Sequence, residues 1–208
     1  MTIYEPMTLA TDYLLTIAAG VFAARLWRTN RMWALAFLFT AAASFFGGTS
    51  HGFGPLFVPM VGVVLWKLTV FSIGFASFFL LAGSGRILAI VAVVKLVVYI
   101  SWMITHNAFI WVIADYGTTL ILVGAAQLIR RTSATPWVLG SIGLSIAGAA
   151  VQASHFSLHR HFNYNDLYHV IQLAALWLLY RGGREMSGAR HFGSRSPVLS
   201  NQASDARL

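Results

Sequence analysis

The sequence predicts an all-α membrane protein with seven transmembrane helices, and three observations lead to this prediction. Of the 208 residues, 58% are hydrophobic and only 10% are charged, whereas about 25% of an ordinary soluble domain is charged. Seven apolar stretches follow one another, most of them near the roughly 20 residues that cross a bilayer. Arginines stand between these stretches on alternate sides. A soluble domain could not bury so much apolar surface, which excludes a soluble enzyme, a chain that is as a whole a disordered tail, and a nucleic-acid-binding module.

The apolar stretches define the elements in chain order. Because the connections are short, neighbouring helices are expected to run antiparallel, and residues 1–186 are predicted to form one seven-helix domain. From Ser187 onward glycine, serine and arginine dominate, which predicts a disordered cytoplasmic tail over residues 187–208. The last stretch is short and can extend back into residues 161–165. The seven stretches are 6–26, 32–50, 58–83, 87–106, 108–129, 136–157 and 166–181.

The arginines predict the orientation of the helices. They follow the first, third, fifth and seventh stretches, whereas the opposite loops carry only Arg160. Cytoplasmic loops are enriched in lysine and arginine, so we expect the N-terminus outside and the C-terminus in the cytoplasm, as in a multi-pass protein of a bacterial inner membrane. This placement accounts for the net charge of +8 without a basic stripe for nucleic acid. The arginines concerned are Arg25, Arg28, Arg31, Arg86, Arg130, Arg131, Arg181, Arg184, Arg190 and Arg195.

Six of the seven histidines collect toward the predicted outer side, together with Asp12, Asp115 and Asp166. Ionisable side chains inside membrane spans are costly, and they commonly mark a functional site. His51 lies in the polar motif GGTSHGF at 47–53, and His169 lies in NDLYHVIQ at 165–172. We therefore expect these two histidines to share a site.

Helical spacing adds polar neighbours to each histidine. Ser44 and His51 are seven residues apart and share a helix face. His161, Asn165 and His169 are spaced by four residues, and they share a face where the helix extends that far. Two polar faces are thus predicted to meet around the two motifs.

Two lysines fall near the middle of the membrane. Lys67 and Lys95 lie inside the third and fourth stretches, where a lysine must pair, become neutral or extend toward the interface. Asp115 and Asp12 are candidate partners, and a structural ion pair is the preferred interpretation. The seventh stretch contains no lysine, which argues against a microbial rhodopsin.

These features together resemble the CREST superfamily, which includes the alkaline ceramidases and the progesterone/adiponectin receptor family. Its members are similar to one another in a Ser-x-x-x-His pattern on the second helix and a His-x-x-x-His pattern on the seventh. In that family the three histidines bind zinc, and an acidic residue assists the bound water. The resemblance covers about residues 6–181 and implies that His51 and His169 are zinc ligands.

The match to the family pattern also fixes where other residues stand. Asn165 occupies the position of the first histidine of the seventh-helix pair. Gly47 occupies the position of the motif serine, and Ser44 lies one turn deeper. Asn165 has a second interpretation, as the residue that caps the start of the seventh helix. The third zinc ligand is left open among His155, His161, Asp166 and Asp12.

The leading hypothesis is a zinc-dependent intramembrane hydrolase that cleaves a lipid amide or ester reached from the outer leaflet. Zinc lowers the pKa of bound water to about 7, which supplies the attacking group. Asp12 or Asp166 would accept the proton, and a serine would hydrogen-bond the oxyanion. The candidate serines are Ser44 and Ser50.

Two other functions are compatible with the same residues. The first is a non-catalytic receptor-like, sensor or accessory subunit that keeps the fold without the metal, and Asn165 in place of a histidine motivates it. The second is a haem-binding electron-transfer protein in which His51 and His169 are the axial ligands. Membrane lipids are the expected partners in each case, and nucleic acid is not.

Overall fold

The computed structural model describes residues 3–159 and 162–193. These residues form seven α-helices and no strand, with one short 3-10 turn at Gly54–Leu56 after the second helix. The all-α class is therefore confirmed. The helices are α1 (Pro6–Leu26), α2 (Arg31–Phe53), α3 (Pro59–Ala82), α4 (Arg86–Thr105), α5 (Phe109–Arg130), α6 (Thr135–Ser154) and α7 (Tyr164–Gly193).

Local sequence signals explain several of the helix ends. Proline lies in the first turn of α1, α3 and α6, where its missing N–H is not needed. Asn30 caps α2 by accepting a hydrogen bond from the Trp33 N–H at 3.4 Å. His155 ends α6 with a left-handed backbone, φ 53°, so this helix stops before residue 157, where the sixth apolar stretch ends.

The seventh helix begins within the range that the sequence allowed but ends later than predicted. It begins at Tyr164 and continues to Gly193, so the predicted tail is helical as far as Gly193. The rest of that tail, residues 194–208, and the candidate ligand His161 lie outside the described residues.

Six helices of the described residues, α1 to α6, are long and apolar enough to cross a membrane. This is the pattern of a multi-pass integral membrane protein. The seventh helix is not among these six.

Six of the helices form a closed ring, and α4 lies outside it. Around the ring each helix packs on the next in the order α1, α2, α3, α5, α6, α7 and back to α1. The fourth helix packs mainly on α3, and β-branched side chains such as Ile90, Val94 and Val97 are largely exposed along it. This is the expected appearance of a helix whose outer side faces lipid.

The ring has two chemically different ends. We call the end that carries His51, His106, His155 and His169 the histidine end, and the end that carries the arginines between helices the arginine end. The main apolar core fills the arginine end, where the Phe22 and Tyr180 rings stack at 4.6 Å. Fully buried side chains of this core include Trp33, Phe37, Leu80, Leu81, Val123 and Val138.

Two lysines attach α4 to the ring. Lys95 forms an ion pair with Asp115 of α5, and their side chains are only 19% and 10% exposed. The expected structural ion pair is therefore present. Lys67 instead donates hydrogen bonds to the carbonyl oxygens of Met103 and Ile104. These carbonyls belong to the last turn of α4, where no intrahelical partner exists and positive charge is favoured.

Candidate functional site

A cavity of about 440 Å³ lies inside the ring toward the histidine end. Side chains from all six ring helices line it, and none from α4 does. Asp12, His51, Asn165 and His169 all line this cavity, so the two histidine motifs do meet at one place. Apolar side chains form much of the remaining wall: Leu15, Ile73, Val112, Ile113, Leu120, Ile142, Ile146 and Leu176.

His169 is held between two residues of α1. Its Nδ1 lies 3.0 Å from the Thr11 hydroxyl oxygen, and its Nε2 lies 3.4 Å from Asp12 Oδ1. The imidazole and the carboxylate are only 11% and 7% exposed. The Thr11 hydroxyl also lies within hydrogen-bond distance of the Met7 and Thr8 carbonyl oxygens. If Thr11 donates to its own helix, His169 carries its hydrogen on Nδ1, and the Nε2 lone pair faces Asp12.

A second histidine–carboxylate pair lies nearer the surface. His51 Nδ1 is 3.3 Å from Glu5 Oε2, and the two side chains are 29% and 44% exposed. Each pair joins α1, or the residue just before it, to another helix. The two pairs therefore run from the surface of the histidine end to the buried part of the cavity.

Two acceptor atoms of the cavity residues lack partners. Asp12 Oδ2 and Gln152 Oε1 are buried and make no hydrogen bond within the described residues. A buried acceptor without a donor costs about 1–3 kcal/mol. A ligand that brings hydrogen-bond donors or positive charge would offset this cost.

Asp166 serves the start of α7. Its Oδ2 accepts a hydrogen bond from the Asn163 N–H at 2.7 Å, and Asn163 Oδ1 accepts from the Asp166 N–H at 3.3 Å. This reciprocal pair is a capping box. The other carboxylate oxygen of Asp166, Oδ1, accepts a hydrogen bond from the Thr8 hydroxyl at 2.9 Å. The Asp166 side chain does not line the cavity. Asn163, and not Asn165 as in its alternative interpretation, therefore caps the start of α7.

Asn165 instead faces the cavity, where its Oδ1 accepts a hydrogen bond from Gln152 Nε2 at 3.1 Å. Ser44 also lines the cavity, whereas Ser50 does not. His155 is exposed at the end of α6, and its ring packs on Tyr164 with centroids 4.6 Å apart. His155 is therefore not brought to the cavity.

Sequence reasoning missed Glu5 and Thr11. A signal was present for the first of them, because Glu5, Thr8 and Asp12 are spaced by three and four residues and share one face of α1. Thr11 gave no such signal, because a threonine in an apolar helix commonly bonds its own backbone. Its contact with His169 depends on how α1 packs on α7.

The fit of zinc to these residues can be tested on distances. Ligands about 2.0–2.1 Å from a tetrahedral zinc ion lie about 3.4 Å from each other. His169 Nε2 and Asp12 Oδ1 meet this spacing. However, no three histidine, aspartate or glutamate side chains of the described residues are close enough to hold one metal ion. A catalytic zinc site uses three protein ligands. The candidate ligand His161 lies outside the described residues, so zinc binding stays a prediction.

A family model described as a family of unknown function, DUF6962, matches residues 7–188. The chain belongs to this family. The match includes every cavity-lining residue named above, so the cavity is part of the DUF6962 domain. Glu5 lies just before the matched range. Comparisons with curated proteins and with solved structures found no match, and the resemblance to the CREST superfamily stays a prediction.

Proposed function

We propose that this DUF6962 protein is a membrane receptor or sensor that binds an amphiphilic, lipid-like ligand inside the ring of helices. The observation that carries the proposal is the cavity itself, which combines buried acceptors without partners and a mostly apolar wall. Its volume of about 440 Å³ lies within the range of small-molecule sites, about 300–1,000 Å³.

The polar group of the ligand is assigned to the histidine end. Asp12 Oδ2 and Gln152 Oε1 both need donors there, which favours an amine, an amide or a hydroxyl group. The apolar part of the ligand would lie deeper, against side chains such as Leu120 and Leu176. The driving force for this part is the burial of apolar surface.

A glycine in the cavity wall allows a direct test. A Cβ added at Gly117 would meet no atom within 4 Å, and Gly117 lines the cavity. The substitution Gly117→Leu is therefore expected to fill the cavity without disturbing the helices. Gly143→Leu is the matched control, because Gly143 also has open space around it but does not line the cavity.

The measurement is the lipid that co-purifies with each variant, identified and quantified by mass spectrometry after extraction. We expect Gly117→Leu to lower bound lipid at least fivefold and Gly143→Leu to leave it unchanged. Equal lipid in both variants, or no co-purifying lipid in the original protein, would contradict the proposal.

Hydrolysis of a lipid amide or ester is the second candidate. The observation that favours it is the buried His169–Asp12 pair at the cavity wall, because the Nε2 lone pair of His169 or the Asp12 carboxylate can accept a proton from attacking water. Asp12→Asn and His169→Gln would then abolish turnover of a synthetic lipid amide or ester while lipid binding persists. Metal content near one zinc per chain, in protein purified without chelators, would be needed for the zinc-dependent form.

We further propose that α7 is the seventh span and that the N-terminus lies outside. The alternation of arginine-rich and arginine-poor helix ends supports this orientation. A reporter that is active only in the cytoplasm is expected to work when fused after Arg184 and to fail when fused at Met1. Equal activity at both positions would contradict the orientation.

A further inference from the structure

A second pocket, of about 330 Å³, lies at the arginine end, away from the central cavity. It lies between the loop that joins α1 to α2 and the loop that joins α3 to α4. We call it the loop pocket. Its lining residues are Thr29, Asn30, Arg31, Met32, Ala82, Gly83, Gly85 and Arg86.

Two helices begin at this pocket. Arg31 is the first residue of α2, and Arg86 is the first residue of α4. No side chain caps α4, because its N-cap residue is Gly85. The first backbone N–H groups of a helix have no partner within the helix and carry partial positive charge, which favours an anion.

Asn30 is a mostly buried residue whose side-chain amide N–H group makes no hydrogen bond within the described residues. The residue is only 6% exposed, and its Oδ1 caps α2 through the Trp33 N–H. Its amide nitrogen has no hydrogen bond within the described residues and is not among the buried unpaired atoms. Asn30 lines the loop pocket, and we count its amide group among the donors available to a ligand there.

The two loops are held close together by specific contacts. A Cβ added at Gly83 would lie 2.6 Å from Trp33 Cδ1 and 2.7 Å from Met32 Cβ, so the approach of the loops requires glycine. Arg130 Nη1 donates a hydrogen bond to the Ser84 carbonyl oxygen at 2.6 Å. This contact holds the second loop and brings a third guanidinium close to the pocket.

The positive charge of the loop pocket has no acidic counterpart. Neither Arg31 nor Arg86 forms an ion pair within the described residues. Arg31 lies over the Trp27 ring at 5.4 Å, which leaves its N–H groups available. Glu185 is the one acidic residue at this end among the described residues.

We propose that the loop pocket binds a phosphate group at the membrane surface. Arg31 and Arg86 would each donate to phosphate oxygens, as guanidinium groups do with paired hydrogen bonds. The Asn30 amide and the first N–H groups of α2 and α4 would supply the remaining donors. A lipid headgroup and a free phosphate share this chemistry, and the inference does not depend on the ligand of the central cavity.

The test uses the full chain in a neutral detergent and two probes in separate calorimetric titrations. One probe is inorganic phosphate, and the other is dihexanoyl phosphatidic acid, a short-chain lipid. We expect saturable binding of one probe molecule per chain. The double variant Arg31→Gln with Arg86→Gln should lower the affinity at least tenfold, whereas Arg25→Gln should change it less than twofold, because Arg25 is exposed and does not line the pocket.

A second variant keeps the test valid if the double variant folds poorly. Asn30→Asp retains a good N-cap residue for α2 but replaces the amide donor with negative charge, so it should also weaken binding at least tenfold. Binding of phosphatidic acid alone identifies a lipid headgroup as the source, and equal binding of both probes shows that free phosphate suffices. No saturable binding of either probe, or an equal loss in Arg25→Gln, would overturn the proposal.

Discussion

At the histidine end of the ring, ionisable side chains form pairs around an open cavity and the deeper pair is buried, whereas at the arginine end they are exposed above a closely packed core. His169 and Asp12 are almost fully buried, and the cavity beside them contains acceptors without donors. Trp33 and Val138 fill the core of the arginine end, and the loop pocket lies outside this core, at its surface. The contrast indicates that the arginine end stabilises the fold and that the histidine end tolerates polar groups suited to a ligand.

The largest expected effect comes from breaking a buried ion pair. Asp115→Leu leaves Lys95 without its partner inside the bundle and should lower the free energy of unfolding by about 3–5 kcal/mol. The double variant Lys95→Met with Asp115→Leu should recover most of this loss, because no buried charge then remains. Unfolding in mixed micelles measures both. If Asp115→Leu is as stable as the original protein, the Lys95–Asp115 ion pair does not hold α4 against the ring.

Overpacking between α1 and α2 should have the next largest effect. A Cβ added at Gly48 would lie 2.7 Å from Asp12 Cβ and 3.1 Å from Tyr13 Cδ1, whereas one added at Gly47 would meet no atom closer than 3.5 Å. We expect Gly48→Ala to cost about 1–3 kcal/mol and to weaken lipid retention. Gly47→Ala is the control and should fold normally. The same melting temperature for both variants would contradict the close packing.

Adding a third metal-binding side chain tests whether the cavity can form a zinc site. Asn165 lies one helical turn before His169 and lines the same cavity, so Asn165→His places another imidazole beside the His169–Asp12 pair. Zinc affinity, measured by competition with a chelator, should rise about tenfold or more, since imidazole is a far better ligand than an amide. Unchanged zinc binding would show that the helix backbone does not allow the three donors to converge.

The start of α7 offers a smaller effect. Asn163→Ala removes the side-chain half of the capping box and should cost about 1 kcal/mol. Asn163→Ser retains a capping oxygen and should remain close to the original stability. Thermal unfolding compares the two, and equal losses in both would indicate that the cap does not hold the helix start.

The smallest effect belongs to the exposed arginines. Arg25→Gln should change the free energy of unfolding by less than about 0.5 kcal/mol, as surface substitutions usually do. The contrast with Asp115→Leu is the direct test of the difference between the two ends. A loss of several kcal/mol in Arg25→Gln would show that the arginine end also depends on charge.

The helices were predictable because their boundaries follow from bilayer-length apolar runs separated by arginines and prolines. The start of α7 was less predictable. Asp166 caps the helix together with Asn163, but an aspartate at this position can equally be interpreted as a catalytic residue. The position of α4 outside the ring does not follow from the order of the elements. It had one signal, since α4 is the most apolar of the six candidate spans.

The candidate site was predictable to a similar degree. His51 and His169 share a cavity as their polar motifs indicated, and Asn165 faces it too. The partners of the histidines were not predictable, since Glu5 and Thr11 reach them only through the packing of α1 on α2 and α7. Short motifs identify such histidines, but the packing of the helices determines what each one contacts.

The exclusion of α4 from the cavity wall has a consequence for how this family diverges. Substitutions along its exposed β-branched side would face the bilayer and would not reach the ligand proposed for the cavity. This helix would then be free to follow the thickness and composition of each host membrane. On the proposed function, ligand preference would depend on the ring helices, above all on α1 and α7, which supply Asp12 and His169. Relatives that live in different membranes are therefore expected to differ most along α4, while their ligand stays the same.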